Sequence, residues 1–119
     1  MDLASAETGE VPISPGERIG IHTGLAMELP VGFEGQVRPR SGLASKHGIT
    51  VVNAPGTIDS DYRGEIIVLL VNLGQAIYVI KPGERVAQLV IAPVCQAHIE
   101  EVSDLSATAR GQGGFGHTG

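Results

Sequence analysis

Apolar and polar positions alternate in short runs along most of the chain, and turn-forming residues separate the runs at close intervals. The stretch "VPISPGERIGIHTGLAMELPVGFEGQVRPRSGLA" breaks at Pro-Gly, Thr-Gly and Pro-Val-Gly, which predicts a series of short strands. Ile66 to Val71 is six consecutive apolar residues, the pattern of a strand covered on both faces, by a second sheet or by another subunit. "AIYVIKPGERVAQLVIAPV" predicts two further strands around the Pro82-Gly83 turn, and "CQAHIEEV" predicts one more. The single helical turn is expected at Ser41 to His47. The pattern as a whole predicts an all-β sandwich or jelly roll without internal repeats.

The alternation stops near Ser103. A β core over 1–102 is therefore expected, followed by a flexible tail over 103–119 with Gly at five of its last nine positions. Arg110 and Phe115 sit inside that Gly run. A mobile segment carrying one cation and one flat ring reads as a lid for a charged, planar ligand, against the plainer reading of a disordered end.

Composition narrows the picture. With 119 residues the chain is one domain. Apolar residues make up 42% of it but aromatics only 3%, with no Trp, so the core must be built from Val, Ile, Leu and Ala. No 18-residue apolar window and no basic-then-apolar leader are found, which predicts a soluble, cytoplasmic protein with no membrane partner. Lone Cys95 has no disulfide partner, as expected in a reducing compartment. The net charge of −5 argues against nucleic acid as a partner, and an anionic ligand would need a local cluster of donors.

Candidate chemistry concentrates in "NAPGTIDSDYRGE", Asn53 to Glu65, between the apolar runs "ITVV" and "IIVLLV". A hairpin reverses in about two to five residues. This connection is far longer and places Asp59, Asp61 and Tyr62 together. Asp59, preceded by apolar Ile58, is expected at the mouth of a pocket, where a carboxylate can deprotonate water. Metal ligation is the competing reading, but the four His offer no supporting spacing. In "RPRSGLA", Arg40, the Ser41 hydroxyl and the backbone near Gly42 are donors suited to phosphate; alone, the stretch reads more readily as an exposed turn with a solvated Arg pair. Gln88, inside the apolar run "RVAQLVI", is expected to need a partner, either across the sheet or on a ligand. Gly111, Gly113 and Gly116 match G-x-G-x-x-G, and Gly111 to Thr118 resembles a P-loop with His117 in place of Lys. Both motifs need a strand before and a helix after, and neither is predicted here. Convergent backbone N–H groups remain available for phosphate oxygens.

In order and spacing, "DLASA", "RPRSGLA", "NAPGTIDSDYRGE", "RVAQLVI" and "RGQGGFGHTG" resemble the five ordered motifs of the trimeric deoxyuridine triphosphatases, over essentially the whole chain. The resemblance implies a homotrimeric jelly roll that hydrolyses dUTP to dUMP and pyrophosphate, limiting uracil in DNA and supplying dUMP for thymidylate synthesis. It implies that Asp59 activates the attacking water and that Tyr62 packs against the deoxyribose. Asn53, Gly56, Thr57, Ile58 and the returning strand near Ile67 would bind uracil, while Arg40, Ser41, Gly42 and Gln88 would bind the phosphates. Phe115 would cover the base, with Arg110, Gly116, His117 and Thr118 closing the tail. Mg²⁺ is implied on the triphosphate oxygens, with Asp2 at most a water-mediated neighbour. The chain departs from the family pattern at His117, where Ser is commoner. It also departs at Met1, which directly precedes Asp2 and points to an N-terminal strand cut short. The rival readings are a dCTP deaminase of the same fold, against which the missing Trp counts, and a non-catalytic dUTP-binding protein.

Overall fold

The computed structural model describes residues 1–116. Nine strands and one helix follow one another as β1 (Asp2–Ala4), β2 (Val11–Ile13), β3 (Arg18–His22), β4 (Phe33–Pro39), α1 (Ser41–His47), β5 (Ile49–Val51), β6 (Gly56–Ile58), β7 (Ile67–Asn72), β8 (Tyr78–Ile80) and β9 (Arg85–Pro93) among the described residues. They form a four-stranded sheet in the order β1-β9-β4-β6, a three-stranded sheet β3-β7-β5 and a two-stranded ribbon β2-β8. All their pairings are antiparallel. This is the predicted β-sandwich of jelly-roll type, and the one helix lies where the sequence placed it.

Aliphatic side chains from the sheets form the core: Leu3, Ile13, Ile21, Val37, Ile49, Val68, Leu70, Ile80, Val86 and Leu89 are all buried. Burying each such side chain is worth about 1.5–3 kcal/mol, which is how a chain so poor in aromatics holds together. Helix α1 drops Leu43 into this core and stops at Gly48, whose φ of 70° is left-handed and whose N–H donates to the Ala44 carbonyl at 3.0 Å.

One expectation is met in part and one needs correction. Of the two sources of cover expected for the run Ile66 to Val71, packing within the chain reaches one face, and the other face is open to another subunit. Val68 and Leu70 point into the core, whereas Ile67 and Leu69 are 43% and 42% exposed, because the second side of the β3-β7-β5 sheet faces an open cleft at this strand. The stretch "CQAHIEEV" forms no strand. Pro93, which lacks an N–H, ends β9; Val94 makes one more bond, to the Gly32 carbonyl at 2.9 Å, and the following residues find no partner strand, leaving Ile99 89% exposed.

One buried polar residue organises the end of β7. Asn72 donates from Nδ2 to the carbonyls of Ile13 (2.8 Å) and Ala76 (2.9 Å) and accepts from the Gly74 N–H at 2.8 Å. We predict that Asn72→Ala strands these groups away from water and costs about 2–3 kcal/mol, read as a lower urea midpoint with an unchanged denaturant slope.

Candidate active site

The long connection between β5 and β7 does more than reverse the chain. β5 and β7 pair directly, with Val51 opposite Leu70, but β6, inside the connection, leaves their sheet and pairs with β4, placing Thr57 opposite Gln36 and Gly56 opposite Val37. Because β6 and β7 belong to different sheets, a cleft of about 260 Å³ lies between them. β6 is an edge strand, so its backbone groups that point away from β4 are free to bind a ligand's polar edge. The lining brings together Asn53, Gly56, Thr57, Ile58, Tyr62 and Ile67, with Val37 and Leu69 adding apolar walls.

The turn after β6 is tied down at several points. The Tyr62 N–H donates to the Asp59 carbonyl at 3.1 Å, and the Tyr62 hydroxyl donates to the Glu65 carbonyl at 2.9 Å. The ring lies so close to Gly64 that a Cβ there would run into it, which accounts for glycine at that position. Arg63 donates to the carbonyls of Ser60 and Tyr62 at 2.8 and 3.1 Å. Glu65 also lines the cleft, and its carboxylate turns to the neighbouring strand. It accepts from the Gly24 N–H at 2.8 Å and meets His22 Nδ1 at 3.0 Å. Thr23 donates to the Ile66 carbonyl at 2.6 Å, and the Ile66 N–H donates to Leu25 at 2.8 Å. Sequence reasoning missed His22 and Glu65 as a pair; they lie 43 residues apart, beyond any local pattern.

Asp59 is exposed and does not line the cleft that holds Tyr62. It sits just past the end of β6, on a second, wider cleft of about 750 Å³ shared with Asp61, Phe33 and Gln96. The expected pocket mouth is thus the boundary between two clefts.

The expected phosphate donors gather elsewhere, at one end of the four-stranded sheet. Arg40 immediately precedes α1, with Ser41 and Gly42 exposed in its first turn. Arg40 donates to the Arg85 carbonyl at 2.9 Å and lies 3.7 Å from Asp2, whose carboxylate also pairs with Arg85 at 3.1 Å. Gln88 stands in register with Asp2 on one side and Arg38 on the other. Its side chain is exposed on a groove of about 410 Å³ with Arg38, Gln36 and Pro55, so of the two partners expected for its amide, one across the sheet and one on a ligand, the outward orientation leaves the ligand. Arg85 and Arg38 were missed although both lie in or beside the motifs read. Helix α1 is steadied by His47 against Tyr78, ring centroids 4.6 Å apart. The Tyr78 hydroxyl donates to Glu84 at 2.5 Å, and burial together with that carboxylate pushes its pKa up to about 12.

Among the described residues the tail makes no hydrogen bond or ion pair to either cluster. Its side-chain bonds are local, from Arg110 to the Gly113 carbonyl at 2.7 Å and from the Gly111 N–H to Thr108 at 3.1 Å, while Phe115 and Gly116 are exposed. His117 and Thr118 lie outside the described residues. No helix among the described residues is long and apolar enough to cross a membrane.

The family model described as dUTPase matches residues 1–119. The chain belongs to the dUTPase family. The deoxyuridine 5′-triphosphate nucleotidohydrolase of Rhizobium etli is 61% identical over 121 residues, covering 100% of this chain and 78% of that protein. The enzyme of that name from Syntrophotalea carbinolica is 57% identical over 119 residues, covering 100% of this chain and 81% of its own length. Among solved structures, a mutant dUTPase of Staphylococcus bacteriophage 80alpha with dUpNHpp superposes with a TM-score of 0.89 at 29% identity, covering 99% of this chain and 84% of that one. A mutant dUTPase of phage phi11 of S. aureus, described with a structural Mg(II) ion, gives a TM-score of 0.79 at 26% identity, covering 87% of this chain and 82% of that one. The dUTPase fold and this chain's nucleotidohydrolase family are therefore shared along its whole length.

The His22–Glu65 contact makes a stability prediction. The hydrogen bond and charge of Glu65 raise the His22 pKa above its ordinary 6.5, and the bonds from His22 and Gly24 lower that of Glu65 below 4.5. The contribution of His22 is full below 6.5 and fades as pH rises through its raised value; that of Glu65 is present above 4.5 and fades as pH falls through its lowered value. The gap in urea midpoint between the wild type and His22→Ala should be widest between pH 4.5 and 6.5 and close on the alkaline side.

Proposed function

We propose that the chain hydrolyses dUTP to dUMP and pyrophosphate, with Asp59 taking a proton from the water that attacks the α-phosphorus as the bond to the pyrophosphate oxygen breaks. The observation that carries this reading is the gathering of Asn53, Gly56, Thr57, Ile58, Tyr62 and Ile67 around one small cleft of a dUTPase-family chain. At about 260 Å³ it falls below the usual 300–1,000 Å³ of drug-sized sites, so it suits a single flat base. Asn53 and the free edge of β6 would read the pairing edge of uracil, and Tyr62 would wall off the 2′ position of the sugar.

Arg40, Ser41, Gly42 and Gln88 would hold the phosphates. Among the described residues no three of His, Cys, Asp or Glu gather into a metal site, and Asp2 is engaged by two arginines. That donor set fits a Mg²⁺ carried on the triphosphate oxygens, with Asp2 reaching it at most through water; when bound, the ion neutralises phosphate charge. The protein's own contribution is to position the triphosphate and to hold the proton acceptor.

Pyrophosphate release with dUTP, dCTP, dTTP and UTP in Mg²⁺ tests the substrate: strong preference for dUTP is expected, and ammonia release from dCTP would overturn the assignment. Asp59→Asn should lower kcat about 10²- to 10⁴-fold with dUTP binding little changed; activity within a few-fold of wild type would remove Asp59 as the base.

The three clusters lie apart on one chain, and Ile67, Leu69, Ile99 and Leu105 leave apolar surface open. Both facts favour a homotrimer in which one chain supplies the phosphate donors, a second the Asp59 turn and a third the tail, with Arg110, Phe115, Gly116, His117 and Thr118 closing over the nucleotide. Mixing Asp59→Asn chains with chains truncated after Arg110 should then restore activity at roughly a quarter of the sites. Mixed trimers that stay inactive would refute the sharing.

A further inference from the structure

We propose that His22 is a positioning residue for sugar selection: through Glu65 it fixes the turn that carries Tyr62, and so sharpens discrimination between deoxyribonucleoside and ribonucleoside triphosphates. The inference rests on the reading of Tyr62 as the wall beside the sugar. His22 ends β3 in register with Ile67, which itself lines the base cleft, so its ring stands beside the site without lining it. Glu65 is the intermediary, and three of its atoms are committed. One carboxylate oxygen takes the Gly24 N–H at 2.8 Å, the other meets His22 Nδ1 at 3.0 Å, and the carbonyl takes the Tyr62 hydroxyl at 2.9 Å. Among the described residues that last bond is the one hydrogen bond of the Tyr62 side chain, and the ring is half-exposed. Its position therefore follows the Glu65 backbone, and the Glu65 backbone follows what its carboxylate grips.

The charged groups that face His22 are both acidic. Glu65 lies opposite its ring, and Glu7 accepts its backbone N–H at 3.0 Å. Arg63, on the same turn as Glu65, is turned away toward the Ser60 and Tyr62 carbonyls and, at 3.6 Å, toward Glu28. The acidic surroundings favour the imidazolium, in keeping with its raised pKa. Once His22 is neutral the contact loses its charge assistance and weakens to an ordinary hydrogen bond, which leaves the backbone N–H groups of Thr23 and Gly24 as the steadier grip on the carboxylate. A looser Tyr62 affects the two substrates unequally. For dUTP the ring is a wall that the sugar only touches, whereas for UTP it is the obstacle.

The test is the ratio of kcat/KM for dUTP to that for UTP between pH 6 and 9. Titrations shared by both reactions, that of the catalytic base included, cancel in it. In the wild type the ratio should fall about two- to fivefold as His22 deprotonates, the worth of an exposed ion pair, and the change should appear mainly as a lower KM for UTP. His22→Ala and His22→Gln should show the lower ratio at every pH, and His22→Lys, cationic throughout, should hold the higher ratio to pH 9. Tyr62→Ala serves as the reference and should collapse the ratio in every background. A wild-type ratio flat in pH and equal to that of His22→Ala, with Tyr62→Ala still collapsing it, overturns the role of His22 alone. A ratio that survives Tyr62→Ala overturns the sugar-wall reading beneath it. Should His22→Ala fail to fold, the wild-type pH profile and His22→Gln decide the matter.

Discussion

The structure turns on one constraint: the connection between two paired strands of one sheet must carry a strand of the other. β5 and β7 hold each other in register, so the residues between them could have closed as a short hairpin. Instead β6 reaches across to β4, and the chain must return to β7 afterwards. This detour sets the length of the connection and opens the cleft. It also needs anchoring at both ends. On the outward side Gly56 lets the strap pass close over Val37 and Asn53, since a Cβ there would stand 3.2 Å from one and 3.3 Å from the other. On the return, Thr23, Gly24 and Leu25 grip Glu65 and Ile66 through backbone and side-chain bonds. Neither anchor contributes much stability by itself, but together they fix the width of a gap that a base would have to fit.

Charge is distributed with similar economy. The chain has eight Lys and Arg against thirteen acids, yet Arg38, Arg40 and Arg85 stand at one end of the four-stranded sheet. Left alone, such a cluster would repel itself. Asp2 lies between Arg40 and Arg85, and the Arg85 carbonyl takes a further bond from Arg40. Exposed pairs of this kind are worth only about 0–1 kcal/mol in stability, so their effect is better described as orientation. They keep two guanidinium groups from spreading into solvent, beside the helix turn that presents Ser41 and Gly42.

The parts of this architecture legible in the sequence are those written in local periodicity. Strands β2 to β4, β8 and β9, the Pro82-Gly83 turn and the single helix follow from alternation and from the residues that interrupt it. β6 was hidden because "GTI" is too short to show a period and lies within a stretch rich in turn formers. The outward turn of Gln88, one of the two readings the sequence allowed, has a related reason. Its neighbours Ala87 and Leu89 are buried, so the run reads as wholly apolar, but a period of two turns the position between them outward. "CQAHIEEV" alternates well enough to pass for a strand, and what it lacks is a partner, which no local pattern reveals. The five motifs were legible in order; their separation into a base cleft, an Asp59 cleft and an arginine cluster was not, because it depends on which sheet each strand joins.

The apolar run Ile66 to Val71 shows how packing and binding divide a single strand. Read as sequence, it asks for cover on both sides. Within the chain, Val68 and Leu70 have that cover, while Ile67 and Leu69 form a wall of the cleft between β6 and β7 on the other side. If the cleft takes the base as proposed, their exposure is a condition for binding as much as an invitation to a partner. Full burial of that face by another subunit would shut the cleft, and polar residues there would fill it with bound water and weaken the grip on a flat base. On that proposal, a partner would approach beyond Leu69 and leave the end of the strand at Ile67, with the clasp of His22 and Glu65 beside it, open to the nucleotide.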